Sequence, residues 1–144
     1  MLRIQKATLV LAVLALFASG TRAAGSTKVV KVAVSCSGDD AVGSRICASL
    51  REKIRASKGF ELVGEEEARK SSRSFHVNLI SEFVDDEHPN YHSAIAVVFT
   101  MPKPEPQLDG FVTAWVAVVG DHKIDEEAAT IMAELDNGTE SLQR

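Results

Sequence analysis

Four residues near the middle of the chain have side chains that commonly bind metal ions. Asp85 and Asp86 are followed by His88, and His92 comes four residues later. Carboxylates and imidazoles are zinc ligands, and two histidines four apart can reach one ion when they share a helical face. Pro89 disfavours such a helix. We therefore interpret the segment as a solvated turn, and keep a small metal-dependent hydrolase built on these four residues as the alternative.

The two cysteines of the chain, Cys36 and Cys47, are the other residues with distinctive chemistry. Both are expected to face the core, Cys36 from the end of a strand and Cys47 from the second turn of a helix. Cysteines of an exported protein usually become oxidised. The alternative is a pair of buried thiols that pack as small apolar groups. The residues leave the disulfide and the free thiols both open, and export would favour the disulfide. A catalytic cysteine is not expected, because an inward-facing thiol is a poor nucleophile.

The remaining sequence contains none of the short motifs that identify common catalytic sites. It has no Gly-x-Ser-x-Gly, no His-Glu-x-x-His and no Cys-x-x-Cys. Residues 35–40 precede a predicted helix, but they include one glycine, no lysine and two carboxylates, so helix capping by Asp39 or Asp40 explains them better than phosphate binding. His76 is isolated and is expected to be a surface or core residue. We therefore predict no catalytic residue and no cofactor.

The clearest elements that could position these residues lie in residues 28–60. A period-two alternation of valines predicts a half-buried strand that ends near Cys36. A helix should follow, because apolar residues recur at helical spacing, and Gly59 is expected to end it in a left-handed conformation. The apolar stripe of this helix consists of Val42, Ile46, Cys47, Leu50 and Ile54.

The rest of the chain predicts four more strands and one more helix. The strands are expected at residues 61–63, 74–84, 91–101 and 111–119, and the helix between Gly120 and Asn137-Gly138. Residues 65–72 are highly charged and indicate either a helical turn or a solvated connection. The resulting order, β-α-β-β-β-β-α, predicts an α+β two-layer sandwich. Its sheet would have about five strands and be mostly antiparallel, with both helices on one face.

The N-terminal residues are typical of an export signal. Arg3 and Lys6 precede an apolar run that is too short to span a membrane, and small residues follow it. We predict a cleaved signal peptide at residues 1–23, a single domain at 24–138 and a frayed tail at 139–144. The protein would be periplasmic or secreted, with no membrane anchor after cleavage. The formal net charge of −4 argues against a nucleic acid or an anionic membrane as partner.

Residues 29–68 combine a valine-rich strand, the helical stretch SLREKIRASKGFELV and a charged segment. This pattern resembles the amino-terminal domains of the TolB family and related small bacterial envelope domains. The resemblance implies a periplasmic protein-interaction module, and no functional residue is carried over from it. The function expected from the sequence is therefore an exported, non-enzymatic domain that binds another envelope protein. The sequence makes no prediction of oligomeric state.

Overall fold

The computed structural model describes residues 29–84, 91–101 and 110–143, with side chains described as far as Glu140. Its elements in chain order are β1 (Val30–Ser37), α1 (Ala41–Ala56), β2 (Phe60–Leu62), α2 (Glu65–Arg69), β3 (Ser74–Phe83), β4 (His92–Met101), β5 (Gly110–Gly120), a 3-10 turn (Asp121–Lys123) and α3 (Ile124–Gln143). The predicted signal peptide lies outside the described residues. None of the helices in the described ranges is long and apolar enough to cross a membrane.

The five strands form one sheet in the order β2-β1-β3-β4-β5. The α+β class is confirmed, but the expectation of a mostly antiparallel sheet is wrong, because β1 is parallel to both β2 and β3. A helix joins β1 to β2 and another joins β2 to β3, and such crossovers return the chain in the same direction. Only the β3-β4-β5 part is antiparallel.

The core lies between the sheet and the two long helices. Both α1 and α3 pack on the same face, which confirms the predicted arrangement of the helices. Leu50 of α1 and Leu135 of α3 are fully buried against Val77 and Val97 of the central strands. The alternation in β1 holds as expected, since Val30, Val32 and Val34 are buried on this face.

The charged segment after β2 forms a short helix, α2, on the opposite face of the sheet. Glu65, Glu66 and Glu67 occupy its first turn, where carboxylates favour the helix dipole. Its one buried residue is Ala68, and its contacts are with β1 and β3. The predicted two-layer sandwich therefore has a third layer over one part of the sheet.

The ends of two helices differ from their predictions. Helix α1 ends at Ser57 in an extended conformation, and among the described glycines only Gly38 has a positive φ, of 126°; Gly59 is therefore not left-handed. Helix α3 continues through Gly138 to Gln143, so the predicted end of this helix at Asn137-Gly138 is wrong. At Gly138 an added Cβ would lie 3.4 Å from the Phe75 ring, and this close approach keeps the last turns docked.

Candidate functional site

The sheet face opposite α1 and α3, called here the outer face, carries mostly apolar side chains where α2 does not cover it, and the exposed Glu82 lies at its margin, opposite Ala94. Ile80 is opposite Ala96, and Ala96 is opposite Val116, so these residues form a row across β3, β4 and β5. Ile80 is 52% exposed and Val116 is 75% exposed. Together with their outer-face neighbours they form the outer apolar patch. The patch consists of Ile80, Ala94, Ala96, Val98, Ala114, Val116 and Val118.

Strands β4 and β5 explain this patch, because they are apolar on both faces. In β5, Trp115 and Ala117 pack towards the core, while Val116 and Val118 point outward and are exposed. An antiparallel sheet with one solvated face usually alternates apolar and polar residues, whereas strands covered on both faces are apolar throughout. The sequence of β5 is thus typical of a strand whose outer face is covered by something else.

Strand β5 also forms one edge of the sheet. It is eleven residues long and contains no charged residue and no proline. Proteins usually protect such edges with charges, prolines or short strands. One irregularity is present near its start, where Phe99 pairs with Thr113 and Thr100 pairs with Phe111. This bulge turns Phe111 to the outer face, where it is 69% exposed, whereas strict alternation along the strand would place it on the same face as Trp115.

A polar cluster holds α2 against the other part of the outer face. Glu65 of α2 accepts a hydrogen bond from the Ser35 hydroxyl, and the same hydroxyl lies 2.9 Å from His76 Nε2. His76 is 7% exposed, so it is a core residue with a partner, one of the two roles expected. The Ser35 hydrogen bond, together with the nearby His76 ring, holds the pKa of Glu65 below its ordinary value. Lys31 and Glu67 add an ion pair of 2.5 Å.

The serine, histidine and glutamate of this cluster are arranged differently from a nucleophilic triad. In a triad the carboxylate holds one ring nitrogen while the other nitrogen takes the serine proton. Here Ser35 and Glu65 both approach His76 Nε2, with Glu65 Oε1 3.6 Å away. The hydroxyl proton is directed to the carboxylate. The geometry therefore anchors α2 rather than activating Ser35.

A second polar network fixes the start of α1. Asp40 is the N-cap, and its Oδ1 accepts hydrogen bonds of 2.6 Å from the Gly43 N–H and from the Ser93 hydroxyl. Asp40 is 1% exposed, and Ser93 is fully buried. Burial alone would raise the pKa of Asp40, but the hydrogen bonds from Gly43, Ser81 and Ser93 outweigh it and hold the pKa below its ordinary value. Of the two predicted capping residues, Asp40 is the one used.

The two cysteines form a disulfide at the same end of the molecule. Cys36 and Cys47 are bonded, with their Cα atoms 6.4 Å apart, which lies within the usual range. The predicted pairing is confirmed. Cys36 points to the face covered by α1, as expected, because it is bonded to Cys47 and lies beside Leu79. It is nevertheless exposed, whereas Cys47 is 4% exposed. The bond joins the end of β1 to α1 across the short loop that connects them.

Of the four proposed metal ligands, Asp85, Asp86 and His88 lie outside the described residues. His92 begins β4 and is exposed. Its ring lies near that of His122, since both rings are close to Gly120. A Cβ added to Gly120 would be 3.5 Å from His92 Cδ2 and 3.0 Å from His122 Nδ1. Within residues 29–84, 91–101 and 110–143, no group of three or more His, Cys, Asp or Glu residues is placed to hold a metal ion. The metal site stays a prediction from the sequence.

An open groove of about 480 Å³ lies between α1 and the start of α3. Its lining carries both signs of charge, including Arg45, Glu52 and Asp125. Ser49 donates a hydrogen bond of 2.7 Å to Asp125 across it. The groove lies where the polar edges of the two helices meet.

Comparison of the sequence with protein-family models found no match, and comparison with curated proteins found none. Among the features above, the outer apolar patch and the β5 edge differ most from an ordinary protein surface. Single exposed apolar residues are common, but contiguous exposed apolar patches are characteristic of interaction sites.

Proposed function

We propose that this chain is an exported domain without enzymatic activity that binds another envelope protein through the outer apolar patch. The observation that carries the proposal is the row of exposed side chains across three strands, with Val116 75% and Ile80 52% exposed. Burying apolar surface is favourable by about 25 cal/mol per Å². A partner that covers this row would therefore stabilise the complex by removing these side chains from water.

The charges of the molecule favour a protein as the partner. The patch contains no Lys or Arg, the residue Glu82 that borders it opposite Ala94 is acidic, and the formal net charge of the chain is −4. Nucleic acids and anionic membranes are bound through clusters of Lys and Arg, and the patch offers none. A partner with an apolar surface of its own matches it, as in the centres of protein interfaces, which are depleted of charge.

Export is the second part of the proposal. The predicted signal peptide supports it, and a disulfide between Cys36 and Cys47 is compatible with an oxidising compartment. We expect the mature protein to begin between Thr21 and Gly25, because small residues cluster there behind the apolar run. Intact-mass measurement of the exported protein tests this. A membrane-bound form that retains Met1 would contradict it.

Binding is tested by cross-linking in the native envelope with two matched variants. Ile80→Lys places a charge in the patch, whereas Val29→Lys places one at a residue of similar exposure, 47%, that immediately precedes β1. We expect the wild type and Val29→Lys to yield the same cross-linked partner. Ile80→Lys should lose it, because a buried unpaired ammonium is costly. Equal cross-linking by both variants would refute the patch as the binding site.

The metal-dependent hydrolase is separated from this proposal by the metal content of the purified mature protein. Stoichiometric zinc that is lost in a His92→Ala variant would favour the hydrolase. A metal-free protein that still forms the cross-link through Ile80 would favour the interaction domain.

A further inference from the structure

We propose that the β5 edge pairs antiparallel with β5 of a second copy of this chain. The two sheets would then form one continuous sheet of ten strands. The inference rests on the proposed function, since it takes the β5 region as an interaction surface. The edge is assigned to a second copy of the chain, and the outer face stays open to the other partner. Its basis is an edge strand of eleven uncharged residues that, within the described part of the chain, is paired with β4 on one side only.

A second copy fits this edge because the strand is complementary to itself. Beyond the bulge, the regular part of β5 covers residues 113–120, and Val116 lies next to its centre. A two-fold axis through Val116 places it opposite Val116 of the second copy and places Ala114 opposite Val118. On the core side, the same axis places Trp115 opposite Ala117. Apolar side chains meet apolar side chains in every outer pair, and no charge is buried.

The topology of the sheet limits this assembly to two copies. A two-fold contact uses the same surface on both molecules and leaves neither β5 edge free. The other edge of the described sheet is β2, which has only three residues, Phe60–Leu62. An edge this short offers few backbone groups for continued pairing. The pairing therefore closes as a dimer and does not propagate as a fibre.

The dimer has two consequences for the rest of the molecule. It joins the two outer apolar patches into one continuous surface, which enlarges the area available to the other partner. It also brings two α3 helices closer, because α3 packs behind β5, where Trp115 Nε1 donates to Glu127 Oε1 at 3.3 Å. Helix α3 carries six acidic residues and no basic residue. Like charges oppose the pairing, and salt should weaken that repulsion.

The test is sedimentation analysis of the mature protein and three variants over roughly 1 to 300 µM, a range suited to small interfaces. We expect the wild type to dimerise, and its dissociation constant to fall as salt is raised. Val116→Lys and Val116→Glu should each raise the dissociation constant by at least about tenfold, since two like charges would meet on the two-fold axis. An equimolar mixture of these two variants should dimerise again, because each Lys then faces a Glu.

Ile80→Lys is the matched control, because Ile80 lies in the patch but on β3, away from the edge. It should dimerise like the wild type while losing the cross-linked partner. Circular dichroism shows whether each variant is folded, and the high exposure of Val116 leaves room for the new side chains. A wild type that is monomeric at every concentration, or variants that fail to recombine in the mixture, would overturn the β5 pairing. Loss of the partner from Ile80→Lys in a monomeric protein would still support the proposed function.

Discussion

Replacing Asp40 by alanine tests the network at the start of α1. The substitution removes an N-cap whose side chain accepts the Gly43 N–H at 2.6 Å, and loss of such a cap costs about 1 kcal/mol. It also removes the acceptor of the Ser93 hydroxyl, which is fully buried. A buried donor without a partner costs about 1–3 kcal/mol more. We therefore expect Asp40→Ala to lower the free energy of unfolding by about 2–4 kcal/mol at neutral pH.

The effect should depend on pH in a defined direction. The pKa of Asp40 is lower in the folded protein than in the unfolded chain, where a carboxyl has a pKa of about 3.9. The ionised group therefore stabilises the fold above that value, and this contribution is lost as the pH falls through the lower, folded pKa. The difference between the wild type and Asp40→Ala should accordingly narrow as the pH falls below the ordinary carboxyl pKa of about 3.9. Asp40→Asn retains an acceptor oxygen but does not titrate, so it should remove this pH dependence at a smaller cost at pH 7.

Urea unfolding with the disulfide intact, at neutral and at acid pH, measures these differences. Asp39→Ala is the matched control, because Asp39 precedes the cap and is exposed; it should change the free energy of unfolding by less than about 0.5 kcal/mol. Equal shifts for Asp39→Ala and Asp40→Ala would refute the structural role of Asp40. A difference between the wild type and Asp40→Ala that is constant with pH would refute the proposed ionisation.

Two further predictions concern the same end of the molecule. Gly43→Ala should destabilise the protein by about 1–3 kcal/mol despite the better helix propensity of alanine, because the added Cβ would overlap Oγ and Cβ of Ser81. Gly59→Ala is the control, because the atom nearest to its added Cβ would be 3.8 Å away. It should change the free energy of unfolding by less than about 1 kcal/mol in the same urea assay. Reduction of the Cys36–Cys47 bond, which links residues eleven apart, should lower the thermal midpoint through a loss of about 2–3 kcal/mol while the fold remains. Thiol titration of the exported protein in denaturant without reductant should detect no reactive thiol, and two reactive thiols per chain would show that the bond is absent.

The sequence predicted those parts of the fold that depend on local periodicity. The alternation of Val30, Val32 and Val34 and the helical spacing of Ile46 and Leu50 identified β1 and α1 because each pattern lies within one element. The parallel pairing of β1 with β3 was missed, since it joins segments about forty residues apart and depends on the path of two crossovers. The β-α-β order was a usable signal for it, because a helical crossover favours parallel neighbours.

The candidate site was also predictable from the sequence only in part. The outer apolar patch could have been inferred from β4 and β5, which are apolar at both alternate sets of positions. The exposure of Phe111 could not have been inferred from the sequence, because a bulge of one residue shifts its side chain to the other face of the sheet. The cluster of Ser35, Glu65 and His76 was also beyond local reasoning. Ser35 and His76 meet because β1 pairs with β3, and Glu65 reaches them because α2 crosses the outer face.

The features at the start of α1 also determine how rigidly the outer apolar patch is presented. Ser81 follows Ile80 in β3 and points to the opposite face, where its backbone and side chain pack closely against Gly38 and Gly43. The positive φ of Gly38, the cap at Asp40 and the disulfide all constrain this loop. Ser81 is thereby held from the core side, and this restrains the backbone of the neighbouring Ile80. A binding surface that is ordered before the partner arrives loses less conformational entropy on binding, so weakening this loop should also weaken binding at Ile80.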